Sequence, residues 1–160
     1  MKLGWKKTED RYTKEKSVVC SLIAVKNYFD TTWEEVWRLG KEKLDSEGRE
    51  TTRIRRLAPT WRQCGEIYKE IGLRRVFTAT PHCRELRNRI DWDEEITETD
   101  GEPIPISEAA ERFGDCIVIF STLRHVTCIK DGKVWDEWDS RTTYSNRNSK
   151  KEYKVSEVWK

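Results

Sequence analysis

The chain is poor in the residues that build most metal centres and disulfide frameworks. Its 160 residues include two histidines, one methionine and four prolines. It has five cysteines, Cys20, Cys64, Cys83, Cys116 and Cys128, an odd number with no Cys-x-x-Cys spacing, which argues against a disulfide scaffold. No apolar run approaches the roughly 18 residues of a membrane-spanning helix. Residues 1–16 are charged and lack the apolar stretch of a secretory signal. Charge of one sign is also missing. Lys and Arg number 31 against 29 Asp and Glu, the signs are interleaved, and the net charge is +2. No strong overall field points to nucleic acid, and the clusters Arg53–Arg56 and Arg147–Lys151 read as solvated surface. Free thiols and the missing signal together predict a reducing, cytoplasmic setting.

Aromatic residues are what the chain has in plenty. Hydrophobic residues make up 36% of the chain and charged residues 38%, but there are eight tryptophans and five tyrosines. Each buried aromatic removes roughly 150–250 Å² from water, so a compact core under a charged surface is expected. The length fits one domain, 17–160, preceded by a polar arm, 1–16, pinned by Trp5 and Tyr12.

Periodicity places helices first. Val18, Val19, Leu22, Ile23, Val25 and Phe29 recur at helical spacing from Ser17 to about Tyr28, with Ser17 or Ser21 as N-cap. "TTWEEVWRLGKEKL" predicts a second helix opening at Thr31 or Thr32, with a capping-box-like Glu. "APTWRQCGEIYKEIGL" predicts a third, with Pro59 at its first turn and Gly72 closing it. "RRVFTAT" is a short strand, Cys83–Ile90 a short helix, and "ISEAAERFG" a helix capped by Ser107. The last third is β: "DCIVIFS" reads as a strand buried on both faces. "HVTCIKDGKVWDEWD" reads as a hairpin about Asp131-Gly132, and "KEYKVSEVW" as a last strand or packed tail. The class predicted is α+β, N-terminal helices packed on a C-terminal antiparallel sheet.

Candidate chemistry follows from the scarcity of histidine. A thiolate is the nucleophilic form of cysteine, and a helix N-terminus and a neighbouring imidazolium both favour it. The imidazole in turn needs a third group to fix its tautomer. Cys20 is the only cysteine near the start of the first helix. Cys64 falls on a helix stripe, and Cys116 and Cys128 fall in β runs where cysteine acts as a small hydrophobe. His125 opens the hairpin, and two acids, Asp136 and Asp139, lie on its return. A two-residue turn pairs residue 125 with 138 and puts Asp136 diagonally on the same face. A three-residue turn pairs 125 with Asp139. Spacing leaves both acids open.

The segments "CSLIAVKNYFDTTWEEVW" and "HVTCIKDGKVWDEWDS" resemble the papain-like cysteine peptidase superfamily, in particular its small phage and bacterial members and the double-glycine leader peptidase type. The resemblance spans most of residues 17–140. It implies a papain-like fold and a Cys20–His125–Asp triad that cleaves a peptide, isopeptide or related amide without a cofactor. In the leader-peptidase pattern the last acid opens a loop after the strand, which ranks Asp139 before Asp136. The resemblance also implies a protein or peptide substrate, or a host protein met in the host cytoplasm if the chain is viral. Trp138 and Ser17 are candidate substrate-binding residues, Trp138 as a shield over the imidazole or as plain core, and Ser17 beside the oxyanion. The family pattern carries a Gln several residues before the Cys, and "YTKEKSVV" has none. Helix-start amides, alone or with Lys14, Lys16 or Ser17, are left to hold the oxyanion. The missing Gln also admits a second expectation: a catalytically inactive papain-like scaffold that binds a protein, for example a phage-encoded modulator of a host protein. A zinc site on His82, Cys83, His125 and Cys128 is disfavoured, because strand residues three apart point to opposite faces.

Overall fold

The computed structural model describes residues 2–8, 16–79, 100–121, 123–143 and 151–160. Its elements, numbered in chain order among these residues, are β1 (Gly4–Lys7), β2 (Ser17–Val18), α1 (Cys20–Phe29), α2 (Trp33–Ser46), β3 (Arg56–Leu57), α3 (Trp61–Glu70), β4 (Arg75–Thr78), β5 (Ile104–Pro105), α4 (Ile106–Phe113), β6 (Cys116–Phe120), β7 (Val126–Lys130), β8 (Lys133–Asp136) and β9 (Lys154–Trp159). Tyr12, His82, Cys83, the expected helix at Cys83–Ile90, and most of the basic stretch at Arg147–Lys151 lie outside the described residues.

The class is α+β, a mixed sheet with four helices among the described residues. Strand order is β1-β8-β7-β6-β9-β4, with β5 also paired to β9. All pairs in this sheet are antiparallel except β1 with β8, which is parallel, Gly4 opposite Lys133 through Lys7 opposite Asp136. The expected arm is therefore a sheet edge over Gly4–Lys7. The expected terminal strand or tail, β9, lies inside the sheet between β6 and β4. Burial on both faces explains this position: Val155 and Val158 pack into one core and Trp159 into the other.

The sheet divides two cores. Cys116, Val118 and Phe120 of β6 face one with α4, while Ile117 and Ile119 face the other with α1 and the residues of α2 and α3. That two-sided burial is what the unbroken apolar run of β6 predicts.

Helix α1 lies directly on β7 and forms the spine of the second core through Leu22, Ala24 and Val25. Gly40 of α2 lets that helix approach closely: a Cβ there would stand 2.8 Å from Leu22 Cδ1 and 3.2 Å from Leu57 Cδ1. Helix caps follow the sequence at α2, where Thr32 Oγ1 accepts from Glu35 N–H at 3.2 Å. At α3 the cap is Thr60, one residue past Pro59, in a reciprocal capping box with Gln63. Helix α4 starts at Ile106 with Pro105 as cap, not Ser107, whose N–H instead receives Glu152 Oε1 as acceptor at 3.1 Å. None of the helices among the described residues is long and apolar enough to cross a membrane.

Candidate active site

Helix α1 begins at Cys20, three residues later than its apolar spacing predicts. The cause is a contact distant in sequence. Ser17 and Val18 pair in parallel with Arg56 and Leu57, and Val19 N–H donates to Leu57 O at 3.1 Å. These three residues are thereby held extended, with Val19 at φ −77° and ψ 164° as N-cap. Val19 has no side-chain oxygen, so the helix opening carries no side-chain cap. The backbone ladder starts with Leu22 N–H donating to Val19 O at 3.0 Å. The N–H groups of Cys20 and Ser21 precede it, at the positive end of the helix. Ser21 itself is locked from behind: its carbonyl accepts from Tyr68 Oη at 2.8 Å, and its Oγ accepts from Cys64 Sγ at 3.1 Å.

His125 arrives from the sheet. It immediately precedes β7, and its carbonyl accepts from Phe120 N–H at 3.2 Å. The hairpin turn is the tight two-residue form: Lys130 opposes Lys133, and Asp131 and Gly132 have φ of 52° and 68°. Both positive values fit the Asp-Gly preference of such turns. The register pairs Cys128 with Trp135. One step further, Thr127 opposes Asp136, and His125 sits two residues along on the same face. Asp136 is thus diagonal to His125, as one of the two sequence registers predicts.

The contacts separate the two acids. His125 Nε2 lies 2.6 Å from Asp136 Oδ2. The same oxygen accepts from Ser140 Oγ at 2.6 Å, and Oδ1 accepts from Glu137 N–H at 2.8 Å. The Asp136 carbonyl is held by β1, accepting from Thr8 N–H at 2.9 Å and Trp5 Nε1 at 3.3 Å. Asp139, ranked first by the family pattern, is engaged elsewhere. Arg141 donates to it through Nε at 2.8 Å and Nη2 at 2.9 Å, and the same guanidinium holds Leu3 O at 2.7 Å. That fork clamps Asp139 to the N-terminal strand, so Asp136 is the carboxylate at the imidazole.

With Nε2 given to Asp136, Nδ1 is the nitrogen left to face Cys20, whose side chain interacts with the ring. Burial alone pulls the His125 pKa down. Hydrogen bonds from Asp136 and Cys20, with their charges, outweigh it and push the value up to about 9. Two aromatic faces hold the ring plane. Phe120 stacks on one side with centroids 5.8 Å apart, and Trp138 lies tilted at 5.3 Å. Tyr153 braces both aromatics edge-on.

Cys20, His125 and Asp136 open into one cleft of about 480 Å³. Ser17 and Trp138 line it as well, along with Asn27 at the far end of the α1 face. Of the residues expected from sequence, six meet at this cleft: Cys20, His125, Asp136, Trp138, Ser17 and Lys16. Asp139 does not line it.

Sequence reasoning missed Ser140, Phe120 and Tyr153. Ser140 is four residues beyond Asp136 in a turn, a spacing at which a hydroxyl readily reaches back to a carboxylate. Phe120 was reachable from the β6–β7 register, which pairs Ile119 with Val126 and so brings Phe120 beside His125. Tyr153 follows residues outside the described set, and no local signal marks it. No metal-holding group of three or more His, Cys, Asp or Glu side chains occurs among the described residues.

Chemically, a sulfur at a helix opening, an imidazole interacting with it, and a buried carboxylate on the far ring nitrogen form a chain suited to moving one proton off a thiol and returning it. No family model matches the chain, and neither a curated protein nor a solved structure matches it.

Proposed function

We propose that the chain is a papain-like cysteine hydrolase that cleaves a peptide, isopeptide or related amide. The observation that carries this reading is the linked series Cys20 sulfur, His125 ring, Asp136 carboxylate, with the sulfur end open to a cleft. In the proposed cycle His125 takes the Cys20 proton, and the thiolate attacks the amide carbonyl carbon. The carbonyl oxygen gathers negative charge facing the Cys20 and Ser21 amides, which lack a side-chain cap. Helix-start donors of this kind stabilise such an oxyanion without the upstream Gln. Collapse breaks the C–N bond, and the imidazolium delivers its proton to the departing amine. Water, deprotonated by His125, then cleaves the thioester, freeing the acid and restoring the thiol.

Asp136 keeps the imidazole in the tautomer with hydrogen on Nε2 and stabilises the imidazolium. Trp138 and Phe120 shield that pair from water. Irreversible labelling by an electrophilic amide probe tests the reading. Wild type is expected to acquire one adduct at Cys20, and Cys20→Ala none there; equal labelling of the two proteins would remove it. The second reading, an inactive scaffold that binds a protein, is favoured by the stretch "YTKEKSVV" with its missing Gln. It predicts full biological activity in Cys20→Ala.

A further inference from the structure

The cleft walls are more basic than the molecule as a whole. Lys16, Arg55, Arg56 and Arg124 line it, against two carboxylates, Asp136 and Glu137. One of those two, Asp136, is spent on His125 and Ser140. Over the whole chain the corresponding balance is nearly even, 31 to 29. The cations come from three separated segments: Lys16 just before β2, Arg55 and Arg56 at β3, and Arg124 before β7. They reach one site only because β2 pairs with β3 next to the Cys20 helix opening. A concave site lined by one sign of charge concentrates ligands of the opposite sign.

Asn27 is 5% exposed, lies two turns along α1 from Cys20 and lines the cleft. Its Nδ2 has no hydrogen-bond partner among the described residues. The cations at the rim call for oxygen acceptors carrying negative charge.

We infer that the cleft recognises an acidic peptide segment, placing Asp or Glu side chains of the substrate against Arg55 and Arg56 beside the amide presented to Cys20. As a statement about a substrate, this rests on the cysteine-hydrolase reading. Nucleic acid is the other polyanion that a basic cleft attracts. The thiol–imidazole–carboxylate series at the cleft favours peptide, since such a series is suited to acyl transfer.

The test uses full-length Cys20→Ala protein, so that binding is read apart from chemistry. Fluorescence anisotropy compares fluorescein-labelled Gly-Asp-Glu-Gly-Asp-Gly with its Asn/Gln counterpart. The acidic peptide is expected to bind about tenfold more tightly at low salt, and most of that advantage should vanish in about 0.5 M NaCl. Arg55→Gln with Arg56→Gln should weaken the acidic peptide by about fivefold. Arg112→Gln, on α4 across the sheet, should not change it. Equal affinity for the two peptides, or indifference to the Arg55 and Arg56 changes, overturns the inference. So does tighter binding of an oligothymidylate of matched charge, which would make the cleft a nucleic-acid surface. Cys20 labelling of the wild-type protein by iodoacetamide is measured alongside. Labelling without a peptide preference removes only the acidic-substrate inference. A peptide preference without labelling removes the hydrolase reading and leaves an acidic-peptide binding cleft.

Discussion

Cys20 and the pair Cys116 and Cys128 present the same thiol in opposite settings. Cys20 is the first residue of a helix, half-buried at a cleft, with an imidazole that its side chain influences. Cys116 and Cys128 sit within adjacent strands β6 and β7 and are fully buried. Burial pushes Cys116 up to about 12 and Cys128 higher still. Residue type is constant across the three, so position in the element decides the chemistry. A helix opening gives a sulfur unpaired N–H groups and access. A central strand gives it neither, and the thiol there acts as a small hydrophobe.

The sharpest way to break this comparison is to delete each thiol in turn. With iodoacetamide at about pH 6, Cys20→Ala should lose essentially all adduct at residue 20, while Cys116→Ala and Cys128→Ala should keep the wild-type rate at Cys20. Peptide mapping by mass spectrometry keeps Cys83, which lies outside the described residues, as a separate signal. Adducts at Cys116 or Cys128 in the native protein would end the contrast.

The next largest effect separates the two acids. Asp136→Asn should slow hydrolysis of an activated ester such as p-nitrophenyl acetate by about 10²-fold or more, because the imidazole loses its tautomer control. Asp139→Asn removes a clamp to Arg141 and should change the rate by less than about threefold, outside that range of general-base effects. A reversed order would restore the family-pattern assignment of Asp139.

Much of this site is local, and so was legible in the sequence. The Asp131-Gly132 turn sets the hairpin register, and the register alone makes Asp136 a diagonal neighbour of His125. The apolar run of β6 predicts its burial on both faces. The unreadable parts depend on pairings distant in sequence. The spacing of Val18, Val19 and Leu22 continues a helical stripe back to Ser17. Only pairing with Arg56 and Leu57 pulls Ser17 to Val19 into extended form and makes Cys20 the first helical residue. Gly4–Lys7 is largely exposed and does not alternate, so nothing local marks it as the strand that braces Asp136 from below. The choice between the two acids turned on Arg141, whose reach to Leu3 O exists only once that strand is in place. The basic wall has the same origin: Arg55 and Arg56 read as solvated surface until β2 and β3 pair beside Cys20.

A pH series sharpens the comparison in a third way, through stability. His125 has a folded pKa of about 9, above the unfolded value near 6.5. Its contribution is therefore fully present below about pH 6.5 and is lost as pH rises through about 9. The side chain is 17% exposed, so screening is limited, and the effect is on the order of 2–3 kcal/mol. The buried thiols act in a later window. Their folded pKa values are raised, so the unfolded chain ionises first, and stability falls as pH climbs above about 8.5. Thermal unfolding should show a decline beginning near neutrality that Asp136→Asn flattens, followed by a decline above about pH 8.5 that Asp136→Asn leaves in place. A single decline unaffected by Asp136→Asn would mean that the imidazole pair contributes nothing to folding.

The smallest effect tests whether the cleft's polar chain is as tightly built as the apolar interior. Ser140 is fully buried, and its hydroxyl donates to the same Asp136 oxygen that meets His125. Ser140→Ala leaves that oxygen with the imidazole alone. The lost hydrogen bond to a charged acceptor should cost about 1–2 kcal/mol of stability. Left with the imidazole on Oδ2 and the Glu137 N–H on Oδ1, the carboxylate is held less firmly, so ester hydrolysis should fall by a further factor of about three to ten. Ser140→Thr returns the hydroxyl and should recover rate even where its extra methyl lowers the melting temperature. If rate and stability instead fall and recover together, Ser140 is a packing residue. The geometry at His125 would then rest on the Glu137 N–H and the ring contacts of Phe120 and Trp138.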